Sequence, residues 1–331
     1  MVKPTPLRWG FLGTARINQS LIEPIRSSAN SILSAVASRS SEKAQEYAIR
    51  WGIPHFHSSY EELLADPEID IIYNSLPSGL HAEWSIKAMQ AGKHVLCEKP
   101  LTTSSQDADA VIEAANQNGR IITEAFMYRH HPQTILIKQM VDDGEIGELQ
   151  IIRGSFCYTN NRSSDPRFEP SLGGGSLWDV GCYPISYARH LVGTEPIEVY
   201  GHQVTGSTGV DLLYTGHMLY PRRVISQFEC SFISPYKASF EITGTTGRIT
   251  IPQPYKPGIK TQIYVERDGK SKTIKVKGKG LYLGEVEDIE NSIMFGTPTR
   301  ISLMESRGNI KTIELLIKAA RISKPVSLLK K

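Results

Sequence analysis

The stretch "LRWGFLGTARIN", residues 7–18, decides how the chain begins to fold. Its first half is a short, largely apolar run that suits a buried strand, and Gly13 ends it where a tight turn is needed. A helix opens directly afterwards, so strand, turn and helix follow in one order. Such a unit aims the free N–H groups of the helix start at whatever lies beyond the strand's carboxyl end, a setting that suits a phosphate. Aligned as G-x-G-x-x-G, only Gly13 fits, because Ala15 and Asn18 stand where the second and third glycines would be. A plain βα turn is therefore the alternative reading of residues 13–18.

The next hundred residues repeat the unit. "ILSAVASR" (32–39) reads as a strand, and Ser41 to Trp51 as a helix. "YEELLAD" (60–66) is a short helix with a Ser59-x-x-Glu62 capping box, and "IDIIYNSLP" (69–77) a strand ended by Pro77. A helix over 81–92 closed by Gly92, the strand "HVLCE", a helix opened by a Thr103-x-x-Gln106 box and the strand "RIITEAF" (120–126) complete the series. Alternating β and α with short connections predicts a doubly wound parallel sheet of the Rossmann kind over residues 1–125.

After about residue 148 strands follow one another directly, among them "LQIIRGSFCY", "VISQFECSF" and "TQIYVER", with an Asp268-Gly269 hairpin signal. The expectation for residues 126–331 is an α+β domain with a large, mainly antiparallel open sheet. The Gly-rich "SLGGGSLWDVGCYPISYARHLVG" (171–193) leads into a helix there. A last amphipathic helix, 302–323, opens on a Ser302-x-x-Glu305 box and is expected to pack back on the body.

Composition sets the class. The 331 residues are long enough for roughly two domains at ~150 each. Apolar residues make up 40% and charged residues 21%, ordinary values for a globular protein with a sizeable core. Basic and acidic side chains number 37 and 34, and a net +3 is too small for a nucleic-acid or membrane-surface field. Cys97, Cys157, Cys182 and Cys230 are scattered, without the spacing of a zinc site or a disulfide framework. "MVKPTPLRW" has prolines where a signal peptide has its apolar core, and no run reaches ~18 apolar residues. A cytoplasmic protein without a metal, a nucleic-acid partner or a membrane partner is expected.

In an open α/β sheet, ligands lie beyond the carboxyl ends of the strands. Four ends, at Gly13, Ser38, Pro77 and Glu98, would border one crevice. After the second strand the position of the usual ribose-binding acid holds Ser38 and Arg39, with Lys43 one turn on. A hydroxyl, a guanidinium and an amine suit a phosphate dianion, which favours NADP over NAD; an ordinary exposed arginine is the alternative. "HVLCEKPLTT" (94–103) ends a buried strand on Glu98, Lys99 and Pro100, either a simple strand stop or a lysine placed in the crevice. In "GGGSLWDVGCYP", Asp179 and Tyr183 are four apart and share a helical face, with Pro184 expected to kink that helix. A carboxylate and a phenol so spaced are commonly structural. Facing a lysine across a domain cleft, they would form an acid–base group.

These motifs, with "AVASRSSEKA", "DIIYNSLPSGLHAEW" and "EAFMYRHHPQ", resemble in order those of the glucose–fructose oxidoreductase, inositol dehydrogenase and MocA family of NAD(P)-dependent oxidoreductases. The resemblance extends over nearly the whole chain. It implies that Lys99 is the key catalytic lysine, that Asp179 matches the aspartate of D-x-G, and that Tyr183 occupies the last catalytic position. A tyrosine there, with Ser38-Arg39, is similar to the branch of NADP-dependent dihydrodiol and D-xylose dehydrogenases. The implied cofactor set is Gly13, Thr14, Ala15, Arg16 and Ile17 of the first turn; Ser38, Arg39 and Lys43; Leu76, Pro77 and His81; Glu98 and Lys99; and Arg129. For His81 and Arg129 a packing or turn role is the alternative.

The expected activity is hydride transfer between NADP and a carbinol or carbonyl carbon of a sugar or cyclic diol, as in an aldose 1-dehydrogenase, without a metal. The competing readings are a ketoreductase of a nucleotide-linked keto-sugar and, from another class, an NADP-holding sensor without turnover. A broad antiparallel sheet commonly becomes an interface, so a homo-oligomer, dimer or tetramer, is expected.

Overall fold

The computed structural model describes residues 5–162 and 164–328. The first unit holds the residues up to Met127 together with Tyr282–Arg307. Its elements are β1 (Leu7–Leu12), α1 (Gln19–Ser27), β2 (Ser31–Ala37), α2 (Ser41–Trp51), β3 (His55–His57), α3 (Tyr60–Ala65), β4 (Ile71–Asn74), α4 (His81–Gln90), β5 (His94–Glu98), α5 (Ser105–Asn118) and β6 (Ile122–Ala125). The six strands pair in parallel in the order β3-β2-β1-β4-β5-β6. This is the doubly wound arrangement, with its reversal of strand order between β1 and β4. β3 went unread in the sequence because its three residues are at the sheet edge and carry no apolar pattern. Pairing of β4 stops at Asn74, three residues before Pro77, so Pro77 belongs to the turn and does not end the ladder.

Capping explains most helix starts, with one correction. Ser59 Oγ accepts from Glu62 N as its spacing requires. At α5 the cap is Ser104, whose Oγ accepts from Asp107 N at 3.0 Å; the Thr103-x-x-Gln106 box lies one residue too early. Both frames satisfy the capping pattern, and only the backbone direction at residue 104 chooses between them.

The second unit runs from Tyr128 to Leu281 and takes up the chain again from Gly308. It contains α6 (Pro132–Asp142), β7 (Leu149–Thr159), α7 (Cys182–Val192), β8 (Glu198–Thr205), β9 (Asp211–Leu219), β10 (Ile225–Ser231), β11 (Ile233–Gly244), β12 (Gly247–Ile251), β13 (Lys260–Arg267) and β14 (Lys270–Lys277). The chain then forms α8 (Leu283–Phe295), α9 (Leu303–Ile322) and β15 (Val326–Ser327). The nine strands are ordered β14-β13-β12-β11-β7-β10-β9-β8-β15, and all pairs are antiparallel except β7 with β10. Asp268 and Gly269, at φ +50° and +73°, make the two-residue turn between β13 and β14.

The division of the chain departs from a boundary near 125 in one respect. α8 belongs to the first unit, because Val286 and Ile289 are buried in the same core as Trp9, Phe11 and Tyr73. Each such side chain contributes about 1.5–3 kcal/mol when fully buried. Ser31 ties the helix in further, accepting from Trp9 Nε1 at 2.6 Å and donating to Glu290. In the second unit α7 crosses β7 at Gly154, where a Cβ would lie 2.7 Å from Pro184 Cβ and 2.9 Å from the Phe240 ring. Only a residue without a side chain allows that approach. Tyr187 then stacks on Phe240 with centroids 4.5 Å apart.

Replacing Ser104 by Ala should lower stability by about 1 kcal/mol, the typical worth of an N-cap. Thr103→Ala should stay within about 0.5 kcal/mol, as for a surface change that touches no special feature. Urea denaturation of both variants measures the difference.

Candidate active site

The first group of residues lies at the carboxyl ends of β1, β2, β4 and β5. Gly13 takes φ +86°, which only glycine adopts without strain. Its N–H donates to Ala37 O at 2.9 Å, and a Cβ there would press on Leu76 Cδ2 at 3.2 Å. Asn18, which replaces a fingerprint glycine, is buried and donates through Nδ2 to Gly13 O at 2.8 Å. It braces the turn from inside. Thr14 and the extended Ala15 lie between β1 and a single 3₁₀ turn, Arg16–Asn18, that leads into α1.

Of the three residues expected to hold a 2′-phosphate, the structure exposes two. Ser38 is buried and its Oγ accepts from Ser40 N, whereas Arg39 and Lys43 face solvent. Tyr60 joins the two turns: its hydroxyl would be 3.8 Å from a Cβ at Gly13, and its ring lies beside Arg39. Burial raises the Tyr60 phenol, and Arg39 pulls the other way. No acidic side chain occupies residues 38–41 at the end of β2.

The turn that carries Lys99 is held at each residue. Glu98 accepts from Tyr73 Oη at 2.6 Å and from Lys99 N at 3.2 Å. The Lys99–Pro100 bond is cis. Pro100 O lies 2.7 Å from His81 Nδ1 and Leu76 O 2.7 Å from His81 Nε2, so the imidazole sits between the loops after β4 and β5; in its neutral form it donates to one of the two carbonyls. Leu101 N donates to Glu124, which is buried on β6. Burial drives the His81 imidazole down to about 4, against the pull of both carbonyls; the charge of Lys99 adds to the lowering. A third carboxyl, Glu285 of α8, is buried next to Glu98, and neither of its oxygens has a hydrogen-bond partner among the described residues. Burial, then the charge on Glu98, raises it well above the carboxylate range.

The second group belongs to the second unit. The helix expected from Ser176 does not start regularly: residues Leu177–Gly181 form a wide π-helical turn before α7 begins at Cys182. The wide turn sits just ahead of Pro184, whose missing N–H would otherwise break an α-helical ladder. Asp211 fixes the start of this segment, accepting from Ser176 Oγ at 2.6 Å and Leu177 N at 2.8 Å. Tyr183 is buried among Phe156, Tyr255 and Tyr128, with ring centroids 5.3, 5.5 and 5.8 Å away. Asp179 is turned to other neighbours: Arg167 Nε donates to its Oδ2 at 2.9 Å and Tyr158 Oη to the same oxygen at 3.0 Å.

Arg129 also lies in the second unit. It is buried, with Nη2 at 2.9 Å from His190 Nδ1 on α7. Sequence reasoning missed Asn18, Tyr73, Glu124, Glu285, Tyr158 and Arg167. Only Asn18 carried a local signal, as the odd residue in a glycine fingerprint; the others come from distant strands and loops. Among the described residues, no cluster of three or more His, Cys, Asp or Glu side chains is arranged for a metal ion.

A parallel 3-2-1-4-5-6 sheet with a glycine turn at its reversal point defines a dinucleotide-binding protein of the Rossmann class. Residues 7–126 match the model of the oxidoreductase family with an NAD-binding Rossmann fold, and residues 134–250 match the GFO/IDH/MocA C-terminal domain. This chain belongs to the GFO/IDH/MocA oxidoreductases. It is 34% identical to a D-xylose 1-dehydrogenase (NADP(+)) of Haloferax volcanii, over 97% of this chain and 100% of that one. It is 32% identical to trans-1,2-dihydrobenzene-1,2-diol dehydrogenase of Xenopus laevis, over 74% and 75% of the two chains. Among solved structures, a 3-ketoreductase from Actinomadura kijaniata in complex with NADP and TDP-benzene superposes with a TM-score of 0.91 at 27% identity, covering 95% of this chain and 98% of that one.

His81 gives a test of the brace. Its folded value is below the ordinary one of ~6.5, so the unfolded chain binds the extra proton between about 4 and 6.5 and stability rises with pH through that window. The stability advantage of the wild type over His81→Gln should therefore be full above pH 6.5 and shrink by up to roughly 3 kcal/mol as pH falls to 4. Urea titrations of both proteins across that range measure it; a constant difference would mean that the imidazole carries its proton when folded.

Proposed function

We propose that the chain is an NADP-dependent oxidoreductase acting on a CH–OH group of a sugar or cyclic diol, with the character of an aldose 1-dehydrogenase. The first unit would bind the cofactor; the second would bind substrate and form a homo-oligomer, dimer or tetramer, through its open sheet. The single observation that carries the reading is Arg39, exposed beside the Gly13 turn with no acid at the end of β2. It supports a cofactor with a 2′-phosphate, since an Asp or Glu there would accept from the ribose hydroxyl of NAD instead. Gly13 to Ile17 and Leu76 would cradle the pyrophosphate side, with Pro77 shaping the turn beside them. Glu98 and Lys99 would reach the nicotinamide end.

When bound, NADP supplies the hydride acceptor or donor. In the oxidising direction Tyr183 takes the proton of the substrate hydroxyl, and Lys99 stabilises the phenolate and binds the same oxygen. Asp179 orients a neighbouring hydroxyl. The second reading, an NADPH-dependent reductase of a nucleotide-linked keto-sugar, is favoured by the likeness to the 3-ketoreductase and uses the same residues in reverse. A cytoplasmic location is part of the proposal, supported by four free, buried thiols. Among the described residues no helix is long and apolar enough to cross a membrane.

Assaying NADPH formation across aldoses, cyclic diols and inositols, and NADPH consumption with a nucleotide-linked keto-sugar, separates the two readings. Arg39→Ala should weaken NADP binding by about 1.5–3 kcal/mol, as for a lost charge-assisted hydrogen bond, and leave NAD almost unchanged. Equal losses for the two cofactors would make Arg39 structural.

Lys99→Met and Tyr183→Phe should keep NADPH binding and lose turnover by roughly 100-fold or more. In the residual activity of Lys99→Met, the ionisation that limits oxidation should move to higher pH, because the phenolate has lost its cation. A Tyr183→Phe enzyme with near-normal kcat would remove the phenol from the reaction.

A further inference from the structure

Tyr60 carries a hydroxyl that its packing does not require. It is the first residue of α3, where Ser59 Oγ accepts from Glu62 N at 3.1 Å and Ser58 N donates to Glu62 Oε2 at 2.9 Å. The helix entrance is thereby pinned by two serines. Tyr60 is only 8% exposed, and its ring meets Trp84 of α4 edge-on, with centroids 4.9 Å apart. A phenylalanine would make those contacts equally well. What the oxygen adds is its place, 3.8 Å from a Cβ at Gly13 and beside the Arg39 side chain, its hydrogen-bonding neighbour.

The backbone brings these three turns together. Gly13 N donates to Ala37 O at 2.9 Å, which sets the end of β1 against the end of β2. Ser38 N donates to His57 O at 3.3 Å, which sets the end of β2 against the end of β3. His57 Nε2 lies 3.1 Å from Asp66 Oδ2, just past the far end of α3. Arg39 and Tyr60 therefore follow closely on the two partners of one hydrogen bond, and both lean towards the Gly13 turn.

The chemistry of the pair has a direction. A guanidinium has donors only, so where it meets a phenol the oxygen accepts. Burial raises the phenol above its ordinary value, against the charge of Arg39, so the group is a hydroxyl and not a phenolate. Arg39 is exposed and has no carboxylate partner among the described residues. A long side chain of this kind loses rotamer freedom when it grips a ligand, and a contact that already holds it reduces that loss.

We propose that Tyr60 is a positioning residue for Arg39: its hydroxyl holds the guanidinium where a phosphate on the adenosine ribose is received, and so raises the preference for NADP over NAD. The proposal rests on the reading that Arg39 receives the 2′-phosphate. It goes further in assigning part of the discrimination to an uncharged residue on another element, one that acts only through the arginine.

The test uses 2′,5′-ADP and 5′-AMP, which differ by the ribose 2′-phosphate, in calorimetry on the full chain with thermal melting as a check of folding. Tyr60→Phe keeps the ring and removes the oxygen. It should weaken 2′,5′-ADP by roughly 3- to 10-fold, the range for one long side chain that must be ordered on binding, and change 5′-AMP by less than about twofold. Arg39→Ala should weaken 2′,5′-ADP more strongly. Adding Tyr60→Phe to Arg39→Ala should then cost nothing further, because the phenol acts through the guanidinium. NADP and NAD titrated into the same four proteins should show the same pattern.

Equal losses of the two nucleotides in Tyr60→Phe would make the phenol a structural support and overturn the proposal. An undiminished effect of Tyr60→Phe in the Arg39→Ala background overturns it too, since the hydroxyl would then act without the arginine. Both outcomes leave the part of Arg39 intact. If Arg39→Ala itself weakens the two nucleotides equally, the reading of the 2′-phosphate site falls, and the proposal falls with it.

Discussion

One imidazole sets the geometry of the first unit's working edge. His81 joins the carbonyl of Leu76, after β4, to that of Pro100, after β5, both at 2.7 Å. Leu76 packs over the Gly13 turn, and Pro100 follows Lys99, so the Gly13 turn and the Lys99 turn both lie against the same ring. The neutral ring donates to one of these carbonyls, and leaving a buried polar group without its partner costs roughly 1–3 kcal/mol. Asn74 completes the frame by holding His81 O and Ser85 Oγ.

The same edge carries a layer of acids beneath Lys99. Glu98, Glu124 and Glu285 come from β5, β6 and α8, and they differ in what they do with their oxygens. Glu98 and Glu124 receive backbone and phenol donors, whereas burial and the charge of Glu98 raise the Glu285 carboxyl well above its usual range.

In the second unit the governing constraint is steric. Gly154 lets α7 approach β7 at Pro184, and the wide turn Leu177–Gly181 absorbs what the proline removes from the helix. Tyr183 packs among aromatic rings, and Asp179, four residues earlier, accepts from Arg167 and Tyr158. Wide turns of this kind are frequent at functional sites because they re-aim single side chains.

The alternation of strands and helices, the glycine at residue 13, the Asp268-Gly269 hairpin and the family motifs around Lys99, Asp179 and Tyr183 were all legible in the sequence. Each depends on residues close together in the chain, where backbone preference and hydrophobic period act directly. The capping frame at Thr103 or Ser104 was not, because two overlapping patterns fit and only the path of the chain selects one. Nor could the sequence show that α8 closes the first core: Val286 lies more than 150 residues from Ala125, and no local pattern reports which core an amphipathic helix will join. Arg167 belongs to the same class, since its meaning comes from an oxygen on a segment that a glycine run brings back to it. Local chemistry determined the elements and marked the candidate residues; long-range packing, which places charge beside charge in a low dielectric, decided what surrounds each of them.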